Sequence, residues 1–90
     1  MNIDSNEIKQ RVLSILSKVK HRETAVPEDS FDKPLLSEEL GFDANDMFFV
    51  VLELMNDFKI SFTKEDIENY RFSTVNGIIS VMENKLIINN

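Results

Sequence analysis

The sequence contains no cysteine, and it has only two glycines, two prolines and one histidine. Without cysteine, the chain has neither a disulfide framework nor a thiolate metal site. The scarcity of glycine and proline leaves little turn chemistry for β-hairpins, and the single Asn-Gly pair, Asn76-Gly77, lies inside a helical pattern. These absences favour an all-α protein.

Long apolar runs are also missing. The longest uninterrupted one extends from Met47 to Leu52, which is far too short to span a bilayer. The chain begins MNIDSNEIKQ, polar and acidic rather than basic and then apolar, so we expect no secretory signal and a cytoplasmic location. No Gly-rich phosphate loop, Ser-His-Asp set or metal quartet is present, so we expect neither an enzyme nor a metal site.

The charge balance is acidic, with ten Lys and Arg against 16 Asp and Glu, a net charge of −6 at pH 7. Such a field repels phosphate backbones and anionic lipids, so nucleic acid and membrane are poor partners, whereas a basic patch on another protein is attracted. A hydrophobic share of 42% is enough for a core. We therefore expect one monomeric domain over residues 1–90, with its core between about 5 and 87.

Apolar residues at helical spacing divide the chain into four predicted helices. They run from about Ser5 to Lys20, Ala44 to Lys59, Lys64 to Tyr70 and Thr74 to Leu86. A long connection that holds both prolines separates the first two. The pattern predicts an antiparallel four-helix bundle with a short third helix and a long first loop.

Polar residues mark the predicted helix ends. Asp4 followed by Glu7 is a capping-box variant, Asp43 is the natural cap of the second helix, and Ser73 or Thr74 caps the last. Within the connection, residues 37–40 are expected to form one helical turn that Gly41 ends. The lysines in the last turn of the first helix suit the negative pole of its dipole.

One apolar stripe of each helix, together with anchors in the long connection, is expected to form the core. In the helices these positions are Ile8, Val12, Ile15, Leu16, Val19, Val51, Leu54, Met55, Phe58, Ile67, Val75, Ile78, Ile79, Met82 and Leu86, with Met47 or Phe48 continuing the second stripe. In the connection they are Phe31, Leu35, Leu36 and Leu40.

Several motifs follow one another around the second helix. The pair Leu40-Gly41 precedes Asp43, Phe58 closes the helix, and Ile60-Ser61-Phe62 links it to the third. The order resembles the acyl and peptidyl carrier protein family, whose members carry an Asp-Ser-Leu triplet at this helix start. The resemblance covers roughly residues 8–86 and implies an acyl carrier protein-like bundle.

The departure from the family lies at the triplet. In carriers the serine hydroxyl accepts 4′-phosphopantetheine from coenzyme A, and the arm holds a biosynthetic intermediate as a thioester. Ala44 stands at the serine position and Asn45 at the following leucine, while Asp43 is retained. The resemblance implies a 4′-phosphopantetheine cofactor if residue 44 were serine, and none that can attach to this chain.

Two explanations for Ala44 remain open. One is a laboratory Ser→Ala substitution that keeps a carrier unmodified, which we favour because the Leu-Gly-x-Asp context is intact. The other is a natural pseudo-carrier that serves as a helical adaptor. The carrier interpretation implies partners that are phosphopantetheinyl transferases and acyl- or aminoacyl-loading or condensing enzymes.

The exposed side of the second helix is the expected contact surface for those partners. Its residues are Asp46, Phe48, Phe49, Leu52 and Glu53. Adjacent phenylalanines cannot both be buried unless each side of the helix is covered. Either the first loop packs over one of them, or the face is an unusually apolar docking surface. The nearby acidic residues favour a solvated face over a loose divalent-cation site.

Overall fold

The computed structural model describes residues 4–21, 26–65 and 73–88, with side chains to residue 86. These residues contain three α-helices, a 3₁₀ turn and a final π-helical turn, and they contain no strand. The α-helices are α1 (Ser5–Lys20), α2 (Ala44–Phe58) and α3 (Val75–Glu83), the 3₁₀ turn is Glu28–Ser30, and the π-helical turn is Asn84–Ile88. The all-α class predicted from the sequence is confirmed.

The predicted fourth helix corresponds to α3. The short third helix predicted from Lys64 to Tyr70 lies mostly outside the described residues. The inward-facing position assigned to Ile67 lies there too. The four-helix bundle therefore stays a prediction. None of the helices in the described ranges is long and apolar enough to cross a membrane.

The first helix has the predicted bounds. Its Asp4 carboxylate accepts the Glu7 N–H at 2.8 Å, but the Glu7 side chain turns to Arg11 at 3.3 Å. The capping box is therefore only half formed. His21, at φ 55°, ends the helix in the left-handed conformation, and its N–H donates to the Lys18 carbonyl.

Of the two predicted caps of the last helix, Ser73 and Thr74, the structure shows Thr74. Its hydroxyl oxygen accepts the Gly77 N–H at 2.9 Å. The predicted α-helix to Leu86 is wrong in its last turn, because the α-helical hydrogen bonding ends at Glu83 and the chain continues as Asn84–Ile88 in π-helical form.

The core lies where α1 packs against α2 and α3. It consists of buried apolar residues from these helices and from the long connection: Ile8, Val12, Ile15, Leu16, Val26, Phe31, Leu35, Leu40, Phe42, Val50, Leu54, Phe58, Val75, Ile78, Val81 and Met82. The predicted core residues Val19, Ile79 and Leu86 pack at its edge, half-buried.

The buried stripe of α2 keeps the predicted Leu54 and Phe58 but begins at Val50 instead of Val51. Val50, Leu54 and Phe58 are buried at i, i+4 and i+8, whereas Val51 and Met55 are only half-buried. Val50 is buried in place of Val51 because residues four positions apart lie on the same face of a helix, and Val50 is four residues before Leu54. Of the two residues predicted to continue the stripe, Met47 is half-buried and packs against the core, whereas Phe48 is exposed.

The long connection is anchored largely as predicted, with Phe31, Leu35 and Leu40 buried. Leu36 is the exception and is 57% exposed. Its neighbour Leu35 is held on both sides, donating to the Ser73 carbonyl at 2.7 Å and accepting the Phe42 N–H at 2.9 Å. This pairing directs Leu35 inward and leaves Leu36 outside, while Val26 and Phe42 are buried anchors of the connection that the sequence pattern missed.

A single turn brings the connection to the start of α2, as predicted. The Gly41 N–H donates to the Ser37 carbonyl at 2.7 Å, and Gly41 has φ 74°. A left-handed backbone of this kind favours glycine because no Cβ clashes with the carbonyl. The turn delivers the chain directly to Asp43.

Candidate functional site

The start of α2 is fixed by two aspartates that cap each other. Asp43 Oδ1 accepts the N–H of Asp46 at 2.8 Å, and Asp46 Oδ2 accepts the N–H of Asp43 at 3.0 Å. This is a complete capping box, built from an aspartate at each end in place of the usual Ser/Thr and Glu. The prediction that Asp43 caps the helix is confirmed.

Ala44 is the first residue of the helix and is exposed, as is Asn45. The first intrahelical bond runs from the Met47 N–H to the Asp43 carbonyl at 3.0 Å. Because the Asp46 N–H is taken by the cap, the amides of Ala44 and Asn45 are the ones that precede the ladder. They lie at the positive end of the helix dipole, which favours an anion beside residue 44.

The residues present do not fit covalent attachment of a phosphopantetheine arm. Ala44 offers a methyl group where a phosphodiester needs an oxygen. Of the neighbouring hydroxyls, Ser37 Oγ lies in the preceding turn and accepts the Leu40 N–H at 3.4 Å. Ser61 lies beyond the far end of α2. The arm therefore has no attachment atom at this helix start.

Asp46 also joins α2 to the end of α1. Lys20 Nζ donates to Asp46 Oδ2 at 3.0 Å. The backbone hydrogen bond from Asp43, and then the bond from Lys20, hold the pKa of Asp46 below its usual range. The Asp46 carboxylate thus takes part both in the cap of α2 and in the contact between α1 and α2.

The other two carboxylates of α2 are paired with α1 as well. Lys18 Nζ lies 3.0 Å from Glu53 Oε2, and Arg11 Nη2 lies 2.9 Å from Asp57 Oδ2. With Asp46, every acidic side chain of α2 has a cationic partner on α1. The predicted contact residues Asp46 and Glu53 therefore serve an internal interface.

Sequence reasoning missed these cross-helix cations, because it assigned the lysines to the dipole of their own helix. The signal was present in the carboxylates themselves. Asp46, Glu53 and Asp57 are spaced by seven and four residues, so they share one side of α2. A row of acids along one helix edge can pair with cations of a neighbouring helix, as it does here with α1.

The predicted apolar face is exposed. Phe48 is 61% exposed, Phe49 55% and Leu52 41%, and the two rings meet edge to face with centroids 6.1 Å apart. The expectation that the first loop covers one phenylalanine is wrong, since its inward anchors end with Phe42, before α2 begins. The structure brings Phe48, Phe49 and Leu52 together as one uncovered surface.

The acidic residues near the helix start do not form a metal centre in the part of the chain that the structure describes. Glu39 pairs with Lys33 at 2.6 Å, and this hydrogen bond lowers the pKa of Glu39. The carboxylates of Asp43 and Asp46 each accept the backbone N–H of the other residue. Lys33 and the capping box therefore hold these three carboxylates.

Comparison with known proteins gives no relative: no family model matches the sequence, no curated protein matches it, and no solved structure matches it. The likeness to carrier proteins therefore rests on the sequence motifs of this chain alone.

Proposed function

We propose that this chain is an acyl or peptidyl carrier-type domain with alanine at its attachment position. In its serine form it tethers a biosynthetic intermediate as a thioester on 4′-phosphopantetheine, and in the present form it meets the same enzymes without cargo. The observation that carries the proposal is the exposed position of Ala44, first in α2 and directly after the capping Asp43.

The surroundings of residue 44 suit a tethering position. Its side chain faces solvent, so an attached arm has room to move, and two backbone amides lie beside it to favour a phosphodiester. The capping box holds the exit direction constant. A fixed helix start of this kind suits a partner enzyme that must reach the side-chain oxygen of a serine at position 44.

The proposed fold is the four-helix carrier bundle, with the short third helix after the Ile60-Ser61-Phe62 link. Ile60 and Phe62 pack against the core, which suits a link that returns the chain to the bundle. The partners are a phosphopantetheinyl transferase and the acyl- or aminoacyl-loading or condensing enzymes. They meet the start of α2 and its exposed side, and the chain itself catalyses no reaction.

The test restores the missing oxygen. The Ala44→Ser variant is incubated with coenzyme A and a broad-specificity phosphopantetheinyl transferase, and the intact protein is weighed by mass spectrometry. We expect the mass to rise by one phosphopantetheine arm, and the Ala44 chain treated in the same way to keep its mass. A folded Ala44→Ser variant that gains nothing contradicts the carrier proposal.

A second candidate function is that of a helical adaptor that binds a protein and never carries a group. The uncovered Phe48 and Phe49 favour it, since two exposed neighbouring aromatic rings suit a binding surface. Under this alternative Ala44→Ser folds but is not modified. Replacing each phenylalanine separately by glutamate then abolishes partner binding without changing the melting temperature.

A further inference from the structure

We propose that the exposed face of α2 binds a second copy of this chain in a weak, reversible two-fold dimer. The contact face consists of Phe48, Phe49 and Leu52 together with the cleft that opens beside Phe49. This inference does not depend on whether residue 44 carries an arm.

The spacing of the exposed residues is that of a helix-packing stripe. Asn45, Phe48, Phe49 and Leu52 stand at i, i+3, i+4 and i+7, so they form one continuous row on the surface of α2. A row of this kind fits against another helix. The second copy supplies such a helix in its own α2.

The charges of α2 permit this self-contact. In a two-fold interface each face meets its own copy, so unpaired carboxylates would be opposed by like charges. Asp46, Glu53 and Asp57 are each paired with a cation of α1. A basic partner would have to compete with those cations, whereas a second copy meets a face whose acidic side chains are already neutralised.

A cleft lined mostly by polar residues borders the apolar face. It has a volume of about 480 Å³ and lies between the end of α1 and the first half of α2, and its lining residues are Val19, Phe49, Lys18, Lys20, His21, Asp46 and Glu53. The Phe48 ring touches Phe49 edge to face. In the proposed two-fold contact the phenylalanine rings form the apolar centre, and the ion-paired side chains of the cleft form the polar rim.

The area of the face indicates a weak dimer. With a phenylalanine side chain covering about 150–250 Å², the exposed fractions of the two rings and Leu52 leave roughly 300 Å² of apolar surface per copy. With a polar rim the total comes to about 1,000 Å², below the size of most stable complexes. The monomer expected from the sequence is then the form present in dilute solution.

The test is sedimentation equilibrium of the full chain from about 10 µM to about 1 mM, the range in which a weak dimer dissociates. We expect a reversible monomer–dimer equilibrium that strengthens as NaCl is raised. The reason is that salt screens the repulsion between two chains of net charge −6 and leaves apolar contact intact. Weakening with salt would contradict an apolar self-contact.

Three variants locate the interface. Phe48→Glu and Leu52→Glu should each weaken the dimer at least about tenfold, because a charge is then buried against apolar surface. Leu36→Glu is the matched control, since Leu36 is similarly exposed but lies in the long connection. Circular dichroism melts establish that each variant is folded, and two independent α2 variants keep the test valid if one of them is not.

The inference is overturned if the chain remains monomeric throughout this range at every salt concentration. It is equally overturned if a dimer forms that the folded α2 variants do not weaken, or that Leu36→Glu weakens as much. Modification of Ala44→Ser is scored separately, so failure of the dimer and failure of the carrier proposal give different results.

Discussion

At the scale of single residues, the start of α2 depends on two aspartates that serve as donors and acceptors to one another. The capping role of Asp43 can be predicted from the sequence, because the cap and the N–H that it accepts lie three residues apart. The bond from Lys20 to Asp46 cannot be predicted from the sequence, because it spans 26 residues and forms only once α1 lies beside α2. Local hydrogen bonds can be predicted here, and cross-helix ones need the packing.

Asp43→Ala should destabilise the protein by about 1 kcal/mol, since the Asp46 N–H then loses its side-chain acceptor. In a chain of this size the melting temperature falls by roughly 4–8 °C. Thermal melts followed by circular dichroism measure the change. Asp43→Asn is the control, because asparagine caps about as well, and an equal loss in both variants would show that the cap is not the cause.

Asp46→Asn should lower stability at pH 7 and matter less at pH 3. Hydrogen bonds from Asp43 and Lys20 hold the pKa of Asp46 in the folded chain below that in the unfolded chain. The stabilisation is therefore present above the unfolded pKa, near 4, and is lost as pH falls through the folded value. Urea unfolding at both pH values measures the difference. The exposed Glu38, changed to Gln, is the control, and a difference independent of pH would contradict this account.

At the scale of elements, Arg11 of α1 joins the end of α2 through several contacts. Arg11 Nε donates to Asp57 Oδ2 at 2.9 Å, and Nη2 donates to the Asp57 carbonyl at 3.0 Å. The same guanidinium lies 4.2 Å from the centre of the Phe58 ring. One side chain thus satisfies a carbonyl of the last turn, pairs with a carboxylate and covers the edge of the core.

Arg11→Ala should therefore cost more stability than Lys18→Ala. We expect about 1–2 kcal/mol for Arg11, which has several partners. For Lys18, whose side chain is 69% exposed, we expect less than about 0.5 kcal/mol, since an exposed pair is weak. Urea unfolding in the same buffer compares the two variants. Equal losses of stability would contradict this account, because they would mean that the additional partners of Arg11 contribute nothing.

The helix limits could be predicted closely, and the direction of individual side chains less so. Periodicity alone could not distinguish a stripe through Val51 from one through Val50, because both are apolar neighbours in a run of apolar residues. Only the packing of α1 against α2 decides between them. The same ambiguity leaves Phe48 open to the core or the surface in the sequence, and it makes Leu36 resemble an anchor beside Leu35.

At the scale of the whole molecule, the fold separates a stabilising side of α2 from an exposed one. Its carboxylates are paired with α1, its Val50–Leu54–Phe58 stripe enters the core, and Phe48, Phe49 and Leu52 face outward. The all-α class could be predicted from the sequence because periodicity and turn chemistry agree. The carrier assignment remains a proposal, since it combines motifs with the placement of one residue.

The most direct test of that assignment is to move a serine along the helix start. Ala44→Ser and Asn45→Ser both place a hydroxyl on exposed positions of α2, one residue apart. After treatment with coenzyme A and a broad-specificity phosphopantetheinyl transferase, intact mass spectrometry should show one added arm on Ala44→Ser and none on Asn45→Ser. An unmodified Ala44→Ser variant with an unchanged circular dichroism spectrum would contradict the account.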